Sequence, residues 1–228
     1  MENNTNSINT IFRWLPDFTG KQRLGRLFFK KQIKQIENVI ITGGFGLKYR
    51  LPNIKENIGY EIFINGIYEK ETSDFIINNI PDGGIYVDIG ANIGSIAIPG
   101  LTRKKNVKGI CIEASKTIFS YLAENIKLNN LDNILLVNKA ISSNDDELVH
   151  FYSPKNQFGK GHFSKDIKEE IENVVTIKLD SLLKNNNIAV PNIIKIDIEG
   201  YEYYAFERPE NLLDSNRLLI FFLSLKTK

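Results

Sequence analysis

Cysteine, histidine and long hydrophobic runs are scarce in this chain. Its 228 residues include one cysteine and two histidines, which excludes an intramolecular disulfide, a cysteine-based zinc cage and a histidine-rich metal site. The longest nearly continuous apolar run, at residues 218–225, is far shorter than the roughly 20 residues of a membrane helix. The first residues, MENN, lack the basic-then-apolar layout of a signal peptide. We therefore expect a cytoplasmic protein without a membrane span.

The chain also lacks a strong charge of either sign. Its 29 Lys and Arg residues nearly balance 27 Asp and Glu residues, and a net charge of +2 gives no reason to expect a nucleic-acid partner. The hydrophobic fraction of 42% and the charged fraction of 25% are typical of a globular protein. A chain of this length fits one ordinary domain with a modest extension.

The first 58 residues differ in pattern from the rest of the chain. Basic and apolar residues follow helical spacing at residues 20–38, and strand-like runs flank Gly43–Gly46, which predicts a hairpin. We assign residues 1–58 to an N-terminal extension with a basic helix and a hairpin, and residues 59–228 to the main domain. The basic helix is either a solvated helix face or an electrostatic contact to a membrane surface.

Strand and helix patterns alternate in the main domain. Strands are predicted at residues 85–89, 107–112, 134–141, 193–198 and 217–225, with a strand pair at 148–152 and 174–179. Helical segments separate the strands, and Asp180 is expected to cap one of the short helices. Strands separated by helices predict an α/β fold, with a mostly parallel sheet and helices on both of its faces.

The first of these strands runs into a glycine turn. Residues 87–94 read VDIGANIG, in which Gly90 and Gly94 allow backbone angles and close ligand approach that a Cβ would obstruct. The spacing differs from the G-x-G-x-x-G pattern of dinucleotide-binding proteins, which disfavours a nicotinamide-dependent oxidoreductase. A plain strand-to-helix turn is the alternative to a ligand site.

An acidic residue follows the second strand. Glu113 lies 19 residues after Gly94, close to the roughly 20 expected when a carboxylate binds the ribose hydroxyls of a nucleotide. A solvated glutamate at a strand end is the alternative. Cys111, two residues earlier, is predicted to fill space in the core.

Charged residues interrupt the strand near residue 196, where a central parallel strand is usually apolar on both faces. Residues 195–202 read KIDIEGYE, so that Lys195, Asp197 and Glu199 share one side of an extended chain. Glu199 and Glu202 share a face if a helix begins there. A structural Lys195–Asp197 ion pair is one explanation, and a ligand site at the carboxyl end of the strand is the other.

These segments together resemble the signature of the FkbM family of S-adenosylmethionine-dependent methyltransferases. Similar positions extend over residues 60–222 and include GIYE at 66–69 and TIKLD at 176–180. The resemblance implies a Rossmann-like class I methyltransferase sheet. It also implies an O-methyltransferase that uses S-adenosyl-L-methionine to methylate a hydroxyl of a sugar, glycan or related metabolite.

The resemblance also implies roles for particular residues. The cofactor-binding set is Asp88, Gly90, Asn92 and Gly94 in the turn, Glu113 at the ribose, and Glu69 as a further candidate for the same cavity. The catalytic set is Asp197, Glu199, Glu202 and His162, one of which would be the general base for the acceptor hydroxyl. A divalent ion held by the carboxylates is an open alternative, although we assign no metal ligand.

One feature departs from the family pattern. Class I methyltransferases usually close the sheet with an antiparallel strand pair, and we expect this chain, whose sequence stops at Lys228, to lack that pair. Residues 218–225 would then form an apolar edge strand, through which we expect homo-oligomers. A non-catalytic cofactor-binding module of methyltransferase fold is accordingly an alternative to the enzyme.

Overall fold

The computed structural model describes residues 12–13, 15–16, 18, 20–152, 158, 161–163, 171–198 and 219–222. Two helices and a hairpin come first: α1 (Lys21–Phe28), α2 (Lys30–Gln35), β1 (Glu37–Thr42) and β2 (Lys48–Asn53). The two strands pair antiparallel around a turn in which Phe45 and Gly46 have positive φ angles of 56° and 75°. This confirms the predicted hairpin.

Two helices follow before the central sheet, α3 (Asn57–Asn65) and α4 (Lys70–Asn79). The side chain of Glu56 accepts a hydrogen bond from the Ile58 N–H and caps the start of α3. The helix ends at Gly66, where φ is 82° and a Cβ would lie 2.7 Å from the Gly44 nitrogen. The sequence did not predict α3, because the helix is buried almost all round and has no clear polar face.

The predicted alternation of strands and helices is confirmed in the first half of the main domain. Its elements are β3 (Ile85–Ile89), α5 (Ala97–Thr102), β4 (Lys108–Ile112), α6 (Lys116–Leu128) and β5 (Ile134–Val137). Ser115 caps α6 by accepting a hydrogen bond from the Ile118 N–H, and the helix buries Ile118, Leu122 and Ile126.

A second sheet comes next, built from β6 (Ala140–Ile141), β7 (Leu148–Tyr152), β8 (His162–Phe163) and β9 (Ile171–Ile177) in the order β6-β9-β7-β8. The prediction of one strand over residues 134–141 is wrong. Asn138 lies between the two segments, and its Nδ2 donates to the Glu113 and Ala114 carbonyls. The chain therefore leaves the first sheet at this asparagine.

Helix α7 (Leu179–Asn185) follows the second sheet. The prediction that Asp180 caps it is wrong, because the helix already begins at Leu179 and Lys178 occupies the cap position. The carboxylate of Asp145 takes that role instead, accepting hydrogen bonds from the Lys178 N–H at 2.7 Å and the Ser181 hydroxyl at 2.7 Å.

Strands β10 (Ile193–Ile196) and β11 (Leu219–Phe222) complete the central sheet. Its order is β11-β10-β3-β4-β5, and every pairing is parallel. The chain winds outward from β3 through β4 to β5 and then returns to the other side of β3. The carboxyl ends of β3 and β10 therefore flank a topological switch point, where open α/β sheets bind their ligands.

Each face of the central sheet is covered by its own apolar cluster. One cluster joins Tyr86, Cys111 and Ile193 of the sheet to α5, α6 and the N-terminal hairpin, including Tyr49 and Leu51. The other joins the aliphatic side chains of the opposite face to α7. The hairpin thus packs into the same core as the sheet, and the division of the chain at residue 58 stays a prediction.

Among the helices that the structure describes, none combines the length and the apolar character needed to cross a membrane.

Candidate functional site

The glycine turn lies at the switch point and is tied to the strands on both sides of it. The N–H groups of Gly90 and Ala91 donate to the Ile112 carbonyl at the end of β4, at 3.0 and 2.9 Å. On the other side, the Asp197 N–H donates to the Ile89 carbonyl at 3.0 Å. The sheet backbone therefore sets the position of the turn.

Two positions in this turn require glycine. Gly90 has a φ of 74°, and a Cβ there would lie 2.1 Å from the Asp197 carbonyl oxygen. Gly94 has a φ of 83°, and a Cβ there would lie 2.9 Å from Ile98 Cδ1. Between them Asn92 also has a positive φ, of 52°. The Asp197 carbonyl occupies the space beside Gly90 and the Ile98 side chain occupies the space beside Gly94, so both glycines are required by the packing of the turn against the protein itself.

Glu113 is buried beside this turn. Its Oε2 accepts a hydrogen bond from the Asn92 N–H, and its Oε1 accepts one from the Ser115 N–H, both at 2.9 Å. Burial raises the pKa of Glu113 to about 7, although the two backbone hydrogen bonds oppose the shift. Each carboxylate oxygen has two acceptor sites, so the side chain retains acceptors for two ribose hydroxyls. The residues present therefore fit the nucleoside part of S-adenosylmethionine.

Two asparagines fasten the turn to distant parts of the chain. The Asn92 Nδ2 donates to the Phe158 carbonyl at 2.8 Å, while its Oδ1 accepts from the Ile93 N–H. Asn125, buried in α6, donates from Nδ2 to the Ile93 carbonyl at 2.9 Å and accepts from the Arg50 N–H at 2.6 Å. Sequence reasoning missed this role of Asn125. The available signal was a polar residue among the apolar positions of the α6 face.

Asp88 and Lys195 form a buried ion pair behind the turn. They occupy paired positions on β3 and β10, and Lys195 Nζ lies 2.9 Å from Asp88 Oδ1. The same ammonium donates a hydrogen bond to the Gly90 carbonyl at 2.9 Å. Burial lowers the pKa of Lys195, but the negative charges of Asp88 and Asp197 outweigh it and leave that pKa above its usual range.

This ion pair identifies the partner of Lys195. The sequence analysis left open a structural Lys195–Asp197 ion pair. The structure instead pairs Lys195 with Asp88 on the neighbouring strand, and Asp197 acts on Lys195 through its charge. Asp88 has no exposed surface, so its carboxylate supports the turn from within the sheet. Spacing along the chain could not predict this contact, because Asp88 and Lys195 are more than 100 positions apart in the sequence.

The residues at the carboxyl end of β10 lie near a second acidic residue, Glu69. Burial raises the pKa of Tyr68, as do the charge and hydrogen bond of Glu69 and the charges of Asp197 and Glu56. Tyr68 is thus within electrostatic reach of both Glu69 and Asp197. Glu69 has a φ of 41° immediately before α4, and its Oε2 accepts a hydrogen bond from the Thr72 hydroxyl. The fold therefore brings Glu69 and Asp197 to one region, with the unpredicted Tyr68 beside them.

Of the remaining catalytic candidates, the structure describes His162. His162 is in β8 of the second sheet, exposed, with its ring 5.1 Å from that of Tyr152. Glu199 and Glu202 lie outside the described residues. Among the residues that the structure describes, Asp197 is therefore the catalytic candidate that lies at the end of a central strand. Within the described residues, no three His, Cys, Asp or Glu side chains are grouped as metal ligands would be.

Comparison with known proteins identifies a family and a relative. A family model described as the methyltransferase FkbM domain matches residues 88–226, which include the glycine turn, Glu113 and Asp197. The chain is 25% identical over 152 residues to the hexuronic acid methyltransferase AglP of Haloferax volcanii. That match covers 67% of this chain and 61% of the relative, so the chain spans less than two thirds of the length of the relative.

Several solved structures are also similar. The crystal structure of M. jannaschii TYW2 in complex with AdoMet is 24% identical, with a TM-score of 0.36, over 45% of this chain and 44% of that one. Trm5b of Pyrococcus abyssi is 14% identical, with a TM-score of 0.41, over 73% and 34%. The precorrin-6Y C5,15-methyltransferase of Geobacter metallireducens GS-15 is 15% identical, with a TM-score of 0.39, over 71% and 70%.

Proposed function

The chain belongs to the FkbM methyltransferase domain family, and from this premise we propose that it is an O-methyltransferase acting on a sugar hydroxyl. The membership confirms the family predicted from the sequence and supports the proposal of a methyltransferase that uses S-adenosylmethionine. The oxygen nucleophile, the sugar acceptor and the residue roles are the proposal. Support for a sugar comes from the name of the relative, a hexuronic acid methyltransferase.

The observation that carries the proposal is the placement of two acidic residues on either side of the glycine turn. Glu113 lies at the end of β4 and holds the Asn92 N–H, while Asp197 lies at the end of β10 and bonds through its backbone to β3. Glu113 would accept the ribose hydroxyls, while Gly90 and Gly94, at positive φ angles, set the backbone path of the turn beside it. When bound, S-adenosylmethionine supplies a methyl group already activated by a sulfonium.

The acceptor hydroxyl needs a proton acceptor as its oxygen attacks. We assign this role to Asp197, which is half-buried at the switch point. A positioned general base typically contributes about 10²- to 10⁴-fold in rate. Holding the acceptor oxygen in line contributes more, since orientation alone is worth roughly 7–11 kcal/mol. Tyr68, whose pKa is raised by the charges of both Glu69 and Asp197, would provide a polar group for another hydroxyl of the sugar, as would Glu69.

The first experiment tests the cofactor role of Glu113. In calorimetric titration with S-adenosylmethionine, Glu113→Gln should raise the Kd by about tenfold or more, because a neutral amide retains one acceptor oxygen in place of two. Glu147→Gln, in an exposed loop, is the matched control and should leave the Kd unchanged. Unchanged affinity in Glu113→Gln would remove the ribose role. A parallel titration with NAD tests the disfavoured oxidoreductase alternative.

The second experiment tests transfer to a sugar. Labelled methyl groups should appear on hexuronic acids or their glycosides, and Asp197→Asn should reduce turnover by at least about 100-fold while the cofactor Kd changes by no more than a few fold. Asp145→Asn is the control: it weakens the cap of α7 but leaves turnover intact. Cofactor binding without transfer to any hydroxylated acceptor would instead support the non-catalytic binding module.

A further inference from the structure

The first two helices form the most basic segment of the chain. Residues 21–36 contain six basic residues and no acidic one, whereas the whole chain has 29 basic and 27 acidic residues, so the remainder is acidic by four. Five of the six side chains are exposed: Arg23, Arg26, Lys30, Lys31 and Lys34. Among the described ion pairs, none neutralises any of these five. The segment therefore presents uncompensated positive charge to solvent.

The inward face of this segment is fixed by packing. Lys21, Gly25 and Phe29 recur every four residues and are buried. A Cβ at Gly25 would lie 2.6 Å from the Tyr60 hydroxyl, so α1 packs against α3 at close range. Lys21 turns its ammonium back to the Leu15 carbonyl at 3.0 Å. With this face held against the core, the opposite face of α1 points outward.

The outward face is not polar throughout. Leu24, Leu27 and Phe28 follow the spacing of a single helical stripe and are exposed to 39%, 72% and 65%. Of the nine exposed large hydrophobic side chains in the described residues, five lie between Leu15 and Phe28. A solvated helix face, which was the plain interpretation of the sequence, does not account for this concentration of apolar side chains.

We propose that the exposed face of α1 and α2 is a docking surface for an anionic lipid bilayer. Basic side chains beside an exposed Leu and Phe stripe match both parts of such a surface, since the cations meet the headgroups and the apolar groups enter the boundary of the acyl chains. Nucleic acid fits less well, because its phosphate groups would pair with the cations but would leave Leu27 and Phe28 exposed to water. The inference is independent of the proposed sugar acceptor.

Vesicle sedimentation of the full chain tests this surface. The protein should sediment with vesicles of phosphatidylcholine containing about 30% phosphatidylserine and remain in solution with pure phosphatidylcholine vesicles. Raising the salt concentration from about 0.1 M to about 1 M shortens the screening length from about 10 Å to about 3 Å and should release most of the bound protein. Sedimentation that is absent, or equal with both vesicle types, overturns the proposal.

Two double variants separate the charge from the apolar stripe. Lys30→Glu with Lys31→Glu should weaken binding by at least about tenfold, because each cation near an anionic surface contributes roughly fivefold. Leu27→Ser with Phe28→Ser should weaken it by about tenfold with the charge unchanged. All four side chains are exposed, so the lysine variant should keep the wild-type melting temperature. The second variant loses only the edge contact of Phe28 with Phe12, at 5.9 Å between ring centres, and should stay close to it.

The matched control reverses another adjacent pair of lysines. Lys104→Glu with Lys105→Glu, in the loop after α5, should retain binding within about twofold. An equal loss in this control overturns the proposal, since net charge alone would then govern binding. Single-stranded RNA that displaces the protein from vesicles, with no effect of the Leu27 and Phe28 changes on either ligand, also overturns it and assigns the surface to nucleic acid.

Discussion

The two faces of the central sheet differ in chemistry although the same strands form both. One face carries Val87, Ile89, Ile110, Ile112, Ile194 and Ile196, packed against α7. The opposite face carries Tyr86, Asp88, Cys111 and Lys195, whose polar groups are all buried. Burial and then the charge of Asp88 raise the pKa of both Tyr86 and Cys111, so the carboxylate influences the whole polar face.

This difference separates what stabilises the fold from what serves the site. Aliphatic side chains stabilise a sheet by burial alone, whereas a buried charge is costly unless it is paired. The Asp88–Lys195 pair lies one residue from the turn and reaches the Gly90 carbonyl. The polar face therefore holds the glycine turn, at a cost in stability that the aliphatic face offsets.

The largest expected effect comes from breaking the buried pair. Lys195→Met leaves the Asp88 carboxylate buried without its cation and should lower the free energy of unfolding by about 3–5 kcal/mol in urea denaturation. The double variant Lys195→Met with Asp88→Asn removes both charges and should recover most of that loss. If Lys195→Met lowers the free energy of unfolding by less than about 1 kcal/mol, then leaving Asp88 buried without its cation is not costly, which would contradict this prediction.

The next effect is a pH dependence that comes from Glu113. The pKa is about 7 in the folded protein against 4.5 in a model peptide, so the folded state holds the proton more tightly. The raised pKa of Glu113 therefore contributes to the free energy of unfolding. This contribution is fully present below about pH 4.5 and is lost as the pH rises to about 7, a change of about 3 kcal/mol.

Glu113→Gln provides the measurement for this pH dependence. The difference in unfolding free energy between wild type and variant should change by that amount across the window, since glutamine does not titrate. Parallel urea titrations at pH 4.5, 6 and about 8 would reveal it. A difference that stays constant with pH would contradict a raised pKa.

The smallest effect is expected on the aliphatic face. Ile194→Val removes one methylene group from a completely buried side chain and should lower the free energy of unfolding by about 1 kcal/mol. The cofactor Kd should not change, because Ile194 faces α7 and not the turn. A raised Kd in this variant would show that the two faces are coupled, which would contradict the separate roles assigned to them.

Local sequence patterns predicted much of the fold and part of the site. The hairpin, the parallel strands and the glycine turn follow from periodicity and from glycine spacing, which depend on neighbours along the chain. Helix α3 was missed because burial on all sides removes the periodic signal. Asp145 replaced Asp180 as the cap of α7 because the loop before β7 carries its carboxylate to that helix, a contact across more than 30 residues.

The sequence by itself determined the family, the turn and the identity of the acidic residues, because glycine at positive φ and a carboxylate after a strand are local requirements. Only the tertiary structure decided which acids meet. It paired Asp88 with Lys195, set Glu113 against the Asn92 N–H and brought Glu69 near Asp197. These contacts depend on strand order and register, since residues distant in sequence become neighbours only after the sheet has formed.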